Sequence, residues 1–121
     1  MSTILLVEDS LTESKQLTRY LQQSGLTVMS VGSVEEAQEK LNHYKPDLIV
    51  VDVILPGQSG FELCRELKAD PGTSAIPVVI CSSKGTDADK LWGNLLGANA
   101  YLRKPVDQHE FVHTVQQLIK Q

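Results

Sequence analysis

Several features that would signal special chemistry are missing or scarce. Only two cysteines occur, Cys64 and Cys81, both in apolar stretches without metal-ligand spacing; reduced core thiols are expected rather than a disulfide or a zinc site. No apolar run approaches bilayer-spanning length, and the N-terminal MSTILLVEDS lacks the basic segment and long apolar region of a secretion signal. A cytoplasmic protein without membrane contact is expected. Lys and Arg are scattered along a chain of net charge −4, which argues against an electrostatic footprint for nucleic acid. Repeats, low-complexity tracts and linkers are absent as well. One folded domain over residues 1–121, without an output domain, is the expectation for 121 residues of ordinary composition, 41% hydrophobic and 21% charged.

What is present is an alternation. ILLV (4–7), VMSV (28–31), LIVV (48–51), VVIC (78–81) and AYLR (100–103) read as five strands. Three are apolar throughout, as in strands covered on both faces. Between and after them lie five amphipathic segments marked by Leu17/Tyr20/Leu21, Val34/Ala37/Leu41, Phe61/Cys64/Leu67, Leu91/Leu95/Leu96 and Phe111/Val115/Leu118. Ser10 with Glu13 and Ser33 with Glu36 read as capping boxes, Thr86 and Asp107 as N-caps, and Gly25 and Gly97 as helix stops. The order is (βα)5. Short connections favour parallel strands and right-handed crossovers, hence an α/β doubly wound open sheet of flavodoxin-like strand order 2-1-3-4-5.

In such sheets ligands bind outside the carboxyl ends of the strands, where strand order reverses. There the first strand delivers Glu8 and Asp9, the third Asp52, the fourth Ser82 and Ser83, and the fifth Lys104 before Pro105. Three carboxylates brought together repel one another unless a cation sits among them. Mg²⁺ suits an oxygen-only set of one or two carboxylates plus phosphate oxygens. Asp9 and Asp52 are the expected direct ligands and Glu8 acts through water, while Lys104 adds a fixed positive charge and Ser82 a hydroxyl for an anion. Together they describe phosphoryl transfer to an aspartate.

LLVEDS, LIVVDVILPGQSG, VVICSS and AYLRKP, in this order, resemble the receiver domain of two-component response regulators over nearly the whole chain. The resemblance implies that Asp52 is the phosphoacceptor, Glu8 and Asp9 the acidic pair for Mg²⁺, and Ile54 a metal ligand through its backbone carbonyl. It implies Ser82 as switch hydroxyl, Lys104 as phosphate-binding lysine with a cis bond to Pro105, and Tyr101 as the aromatic that changes rotamer. A histidine kinase or phosphotransfer domain would supply the phosphoryl group. A downstream protein would read the face made by the fourth helix, fifth strand and fifth helix. The module is then a switch, not a turnover enzyme. It is similar to stand-alone chemotaxis-type members, and LWGNLLGANAYLRKPV is similar to regulators of type IV pilus twitching and phototaxis. Ile54 and Lys84 depart from the polar and acidic residues of the best-known chemotaxis member, which implies an altered lifetime of the phosphoryl group.

Plainer readings exist for each residue. Glu8 and Asp9 would favour the positive end of the first helix, and Asp52 a turn before Pro56. Joint placement on adjacent strand ends is what raises them above coincidence. His109 and His113 are four apart on a helix but lack a third zinc ligand. Periodicity leaves Trp92 open between core and docking face. A flavin carrier is disfavoured by acids after the first strand, and a haloacid-type phosphatase by the lack of D-x-D there. A vestigial binding module that is never phosphorylated stays open.

Overall fold

The computed structural model describes residues 2–120. Strands and helices alternate as β1 (Thr3–Val7), α1 (Leu11–Gln23), β2 (Thr27–Val31), α2 (Val34–Leu41), β3 (Leu48–Val51), α3 (Gly60–Ala69), β4 (Val78–Ser82), α4 (Asp87–Leu95), β5 (Ala100–Arg103) and α5 (Gln108–Ile119). All pairings are parallel and the sheet order is β2-β1-β3-β4-β5, as the alternation predicts.

Successive strand side chains point to opposite faces, so each apolar strand feeds two cores. Leu5, Val7, Ile49, Val51 and Ile80 pack with Val34, Leu63 and Leu67 from α2 and α3. Ile4, Leu6, Leu48, Val50 and Val79 pack with Leu17, Leu21, Phe111 and Val115 from α1 and α5. Phe111 is fully buried, a contribution of about 3 kcal/mol from area removed from water. Cys64 belongs to the first core and Cys81 to the second. Both are free thiols separated by the sheet, and burial raises the pKa of each, so neither is a ready nucleophile.

Each helix begins at a side-chain cap: Ser10, Ser33, Ser59, Thr86 and Asp107 each accept the backbone N–H three residues on. The expected reciprocal boxes at the first two helices do not close. Ser10 N–H is taken by Glu8 Oε2 at 3.1 Å, which leaves the Glu13 carboxylate free for Lys104. Glu36 Oε2 instead accepts from Gly32 N–H at 3.0 Å. The complete box is at Thr86 and Asp89.

α4 departs from its sequence pattern in direction. Leu91, Trp92 and Leu95 are 61%, 50% and 67% exposed, and Gly93 is the residue of this helix that is buried. Leu96 alone of the expected apolar trio packs against the core. An amphipathic period defines a stripe without saying whether the stripe faces the sheet or solvent. Here it faces outward, and Trp92 goes with it. Among the described residues no helix is long and apolar enough to cross a membrane.

Candidate functional site

Strand register sets the site. Val7 lies opposite Val31 on one side and Val51 on the other, so the next residues, Glu8 and Asp52, leave the sheet side by side. The pairing continues through Asp52 N–H to Val7 O at 3.1 Å. Ser82 ends β4, and Lys104 N–H donates to Ser82 O at 2.9 Å, which fixes the base of the lysine next to the serine. The Lys104–Pro105 peptide is cis.

The start of α3 presses on Asp52 from below. A Cβ on Gly60 would lie 2.0 Å from the carbonyl oxygen of Asp52, far inside contact distance. Only hydrogen at this position lets the helix approach so closely. Gly60 N–H also donates to Val53 O at 3.0 Å. The sequence reading passed over Gly60; a glycine placed directly after the Ser59 cap was the available signal.

Lys104 Nζ meets three carboxylates: Glu8 Oε1 in a short hydrogen bond, Asp52 Oδ2 at 2.8 Å and Glu13 Oε2 at 3.2 Å. Its side chain is 9% exposed. The other Asp52 oxygen, Oδ1, accepts Ile54 N–H at 3.1 Å. Burial works against charge on Lys104, but hydrogen bonds to Asp52 and Glu8 outweigh it and hold the lysine pKa above its usual value. For Glu8 burial prevails: its pKa is raised although Lys104 and the Ser10 N–H pull it down. One ammonium thus faces three acids, and the pocket carries unneutralised negative charge.

Carboxylate oxygens of Glu8, Glu13 and Asp52 lie within 4.8 Å of one another. An oxygen-only donor set with excess negative charge fits a hard divalent cation. Glu13 was read as a cap and missed as part of this cluster. It stands one turn into α1, on the side that looks back at the strand ends. Asp9 is outside the cluster, with an exposed side chain. Ser82 is fully buried and its Oγ accepts Lys84 N–H at 3.2 Å, whereas Ser83 is exposed. Ile54 is 55% exposed beside Asp52. Next to Lys104, between α1 and the loop entering α5, a cavity of about 270 Å³ opens, lined by Glu13, Leu17 and Ser83 among others.

Tyr101 lies beyond the acids that meet Lys104. Its hydroxyl donates to Lys84 O in a short hydrogen bond, and its ring lies 6.4 Å from that of Phe61. Burial, with Asp89 and Asp52 nearby, pushes its pKa up to about 12. His109 and His113 stack 6.1 Å apart on α5, both exposed and remote from the strand-end cluster.

Comparison with known proteins agrees with this arrangement. Residues 4–116 match the family model for the response regulator receiver domain. Protein PilH from Pseudomonas aeruginosa is 39% identical over 115 residues, covering 95% of each chain. Transcriptional regulatory protein CssR from Bacillus subtilis is 36% identical over 98% of this chain, which spans about half of CssR, 51%. The signal receiver domain of a signal transduction histidine kinase from Syntrophus aciditrophicus superposes with a TM-score of 0.92 at 32% identity, covering 99% of this chain and 91% of that one. Four ordered strand-end motifs, a lysine bridging two strand-end acids and a match over nearly the full length have one common source: this chain belongs to the receiver domains of two-component response regulators.

Proposed function

We propose that Asp52 is the phosphoacceptor of this receiver, and that a histidine kinase or phosphotransfer domain supplies the phosphoryl group. The observation that carries the reading is the Lys104 ammonium held against Asp52 and Glu8 in one buried pocket. An Asp52 carboxylate oxygen forms the new P–O bond as the P–N bond of a phosphohistidine breaks and the imidazole leaves. Backbone pairing to Val7 and the close approach of Gly60 hold that carboxylate still. Lys104 then exchanges carboxylate partners for a phosphoryl oxygen. Glu13, whose side chain is 44% exposed, is the partner most easily released to solvent. The Ser82 hydroxyl accepts the Lys84 N–H and keeps its own proton to donate to the same anion.

Glu8, Asp9, Asp52 and the Ile54 carbonyl would hold Mg²⁺, and the ion, when bound, neutralises charge on the phosphoryl oxygens. Drawing Ser82 toward the anion moves the loop that Tyr101 grips through Lys84, so the signal leaves through the face of α4, β5 and α5. Such a switch needs a bias of only a few kcal/mol between two states. A downstream protein reads that face, in the cytoplasm, and the pattern around Trp92 suggests a taxis or pilus motility pathway. The chain modifies itself and does not turn over a substrate. The Ile54 side chain offers no acceptor to an attacking water, so Ile54→Asn should shorten the life of the phosphoryl group.

Incubation with Mg²⁺ and acetyl phosphate, followed by intact mass, tests the reading. One labile phosphate that disappears in Asp52→Asn is expected. Continuous turnover of the donor would make the chain an enzyme, and no adduct at all would make it a vestigial binding module.

A further inference from the structure

The fourth helix meets the sheet through a gap. A Cβ on Gly93 would lie 2.8 Å from Tyr101 Cδ2 and 3.1 Å from Ile80 Cδ1. Glycine inside a helix is unfavourable relative to alanine, so an open surface position would gain from a side chain. Here the position is buried, and what occupies the missing side chain's space is the edge of the Tyr101 ring. The Phe61 ring is tilted 43° to that ring, with centroids 6.4 Å apart.

The ring is also tied to the start of the same helix. Its hydroxyl donates to Lys84 O, and Lys84 N–H donates to Ser82 Oγ at 3.2 Å. Lys84 Nζ pairs with Asp89 Oδ1 at 3.2 Å. Asp89 Oδ2 in turn accepts from Thr86 N–H at 3.0 Å and Thr86 Oγ1 at 2.8 Å, closing the helix cap. One residue, Lys84, thereby touches the buried serine, the tyrosine and the first turn of α4. Tyr101 thus reaches the first turn of α4 through Lys84 and meets the helix directly at Gly93.

We propose that Gly93 is a positioning residue: the space left by its absent side chain is the seat of the Tyr101 ring, and it couples ring position to the height of α4 above the sheet. The inference rests on the receiver reading for what sets the ring in motion, but not for the seat itself. With the ring seated, α4 can lie close and its cap can reach Lys84. With the ring withdrawn, the helix loses its contact at both ends of its inner face. A methyl group in the seat must displace either the ring or the helix, because it would lie 2.8 Å from Tyr101 Cδ2, inside contact distance.

Four proteins test this: the parent, Gly93→Ala, Tyr101→Ala and the double variant, each unfolded in urea. The seat predicts a reversal of sign. Gly93→Ala lowers the midpoint when Tyr101 is present and raises it in Tyr101→Ala, where helix preference outweighs the remaining tight contact with the flexible end of Ile80. A spectroscopic reading separates positioning from mere packing. In Gly93→Ala the ring signals of Tyr101, followed by NMR with ring-labelled tyrosine, are displaced before any phosphodonor is added, and acetyl phosphate with Mg²⁺ moves them no further. Asp52 takes up phosphate to within about twofold of the parent level. A raised midpoint in both backgrounds, or undisplaced ring signals, overturns the proposal. If Gly93→Ala alone fails to fold, a folded double variant supports the seat and an equally unfolded one overturns it. Failure of Asp52 to take up phosphate in the parent would instead remove the receiver reading and leave the sign reversal standing or falling by itself.

Discussion

Gly60 and Gly93 both let a helix come close to the sheet, and what each would strike is different. At Gly60 the obstacle is the backbone carbonyl of Asp52, and at Gly93 it is the edge of a side-chain ring. A backbone carbonyl one residue past a sheet strand, with its own N–H paired to Val7, has little room to step aside, whereas a tyrosine ring can rotate about χ1. The end of β3 that leads into Asp52 is therefore built as a fixed mount, with Asp52 clamped by β1, by α3 and by the Lys104 ammonium. The α4 face is built to yield: one buried glycine, three exposed apolar side chains and a cap that shares its acid with a neighbouring loop. A phosphorylation switch needs both, a place where charge arrives without motion and a place where motion costs little.

Changes at the two ends should differ most in size. Gly60→Ala should cost about 4 kcal/mol or fail to fold, since a backbone clash has no cheap escape; a urea midpoint near that of Gly93→Ala would erase the contrast.

Lys104→Met tests whether charge as well as sterics fixes Asp52. Stranding buried Glu8 and Asp52 should cost about 3 kcal/mol near neutral pH. The pH dependence follows in sign. Lys104 has a folded pKa raised above the ordinary 10.5, so its contribution is complete below that value and fades as pH rises through the raised one. The parent should lose stability above pH 10.5 with a slope that Lys104→Met lacks. Glu8 is also raised above its ordinary 4.5, so its protonated form favours the fold and stability falls as pH climbs through its raised value. Without the lysine that decline should steepen, and a flat acid-range profile for Lys104→Met would contradict the pocket.

On the yielding side the effects should be small. Amide hydrogen exchange in α4 should outpace that in α3 and α5, whose inner faces bury Leu63 with Cys64 and Phe111 with Val115. Leu95→Ala should change stability by no more than about 0.5 kcal/mol, as expected for an exposed side chain. A loss of about 2 kcal/mol there would show that α4 packs as firmly as its neighbours.

The legible part of this molecule is that written in short-range pattern. Short apolar runs bounded by turns placed the five strands within a residue or so, most plainly the three that are apolar throughout, because strands covered on both faces bury every side chain. Ser33 and Thr86 were readable as caps because capping acts over three residues. Glu13 was misread for a related reason: the same spacing that defines a box does not record that Glu8 has already taken the Ser10 N–H. Asp9 and Glu8 read alike in sequence as one acidic pair, yet consecutive residues leaving a strand point apart, so Glu8 is buried against Lys104 and Asp9 is exposed.

Local alternation in the amino-acid sequence was enough to determine the five strands, the five helices, their parallel pairing and the row of polar residues at the carboxyl edge, because each follows from side-chain period and connection length, while the sheet order matches the common one for a small doubly wound fold. Which acids share the Lys104 ammonium, which way the α4 stripe faces and what fills the space beside Gly93 were decided only in three dimensions. Those outcomes depend on contacts between residues far apart in the chain, Lys104 with Glu8 and Tyr101 with Gly93 among them, and no local period records which of two faces a helix will turn to its neighbours.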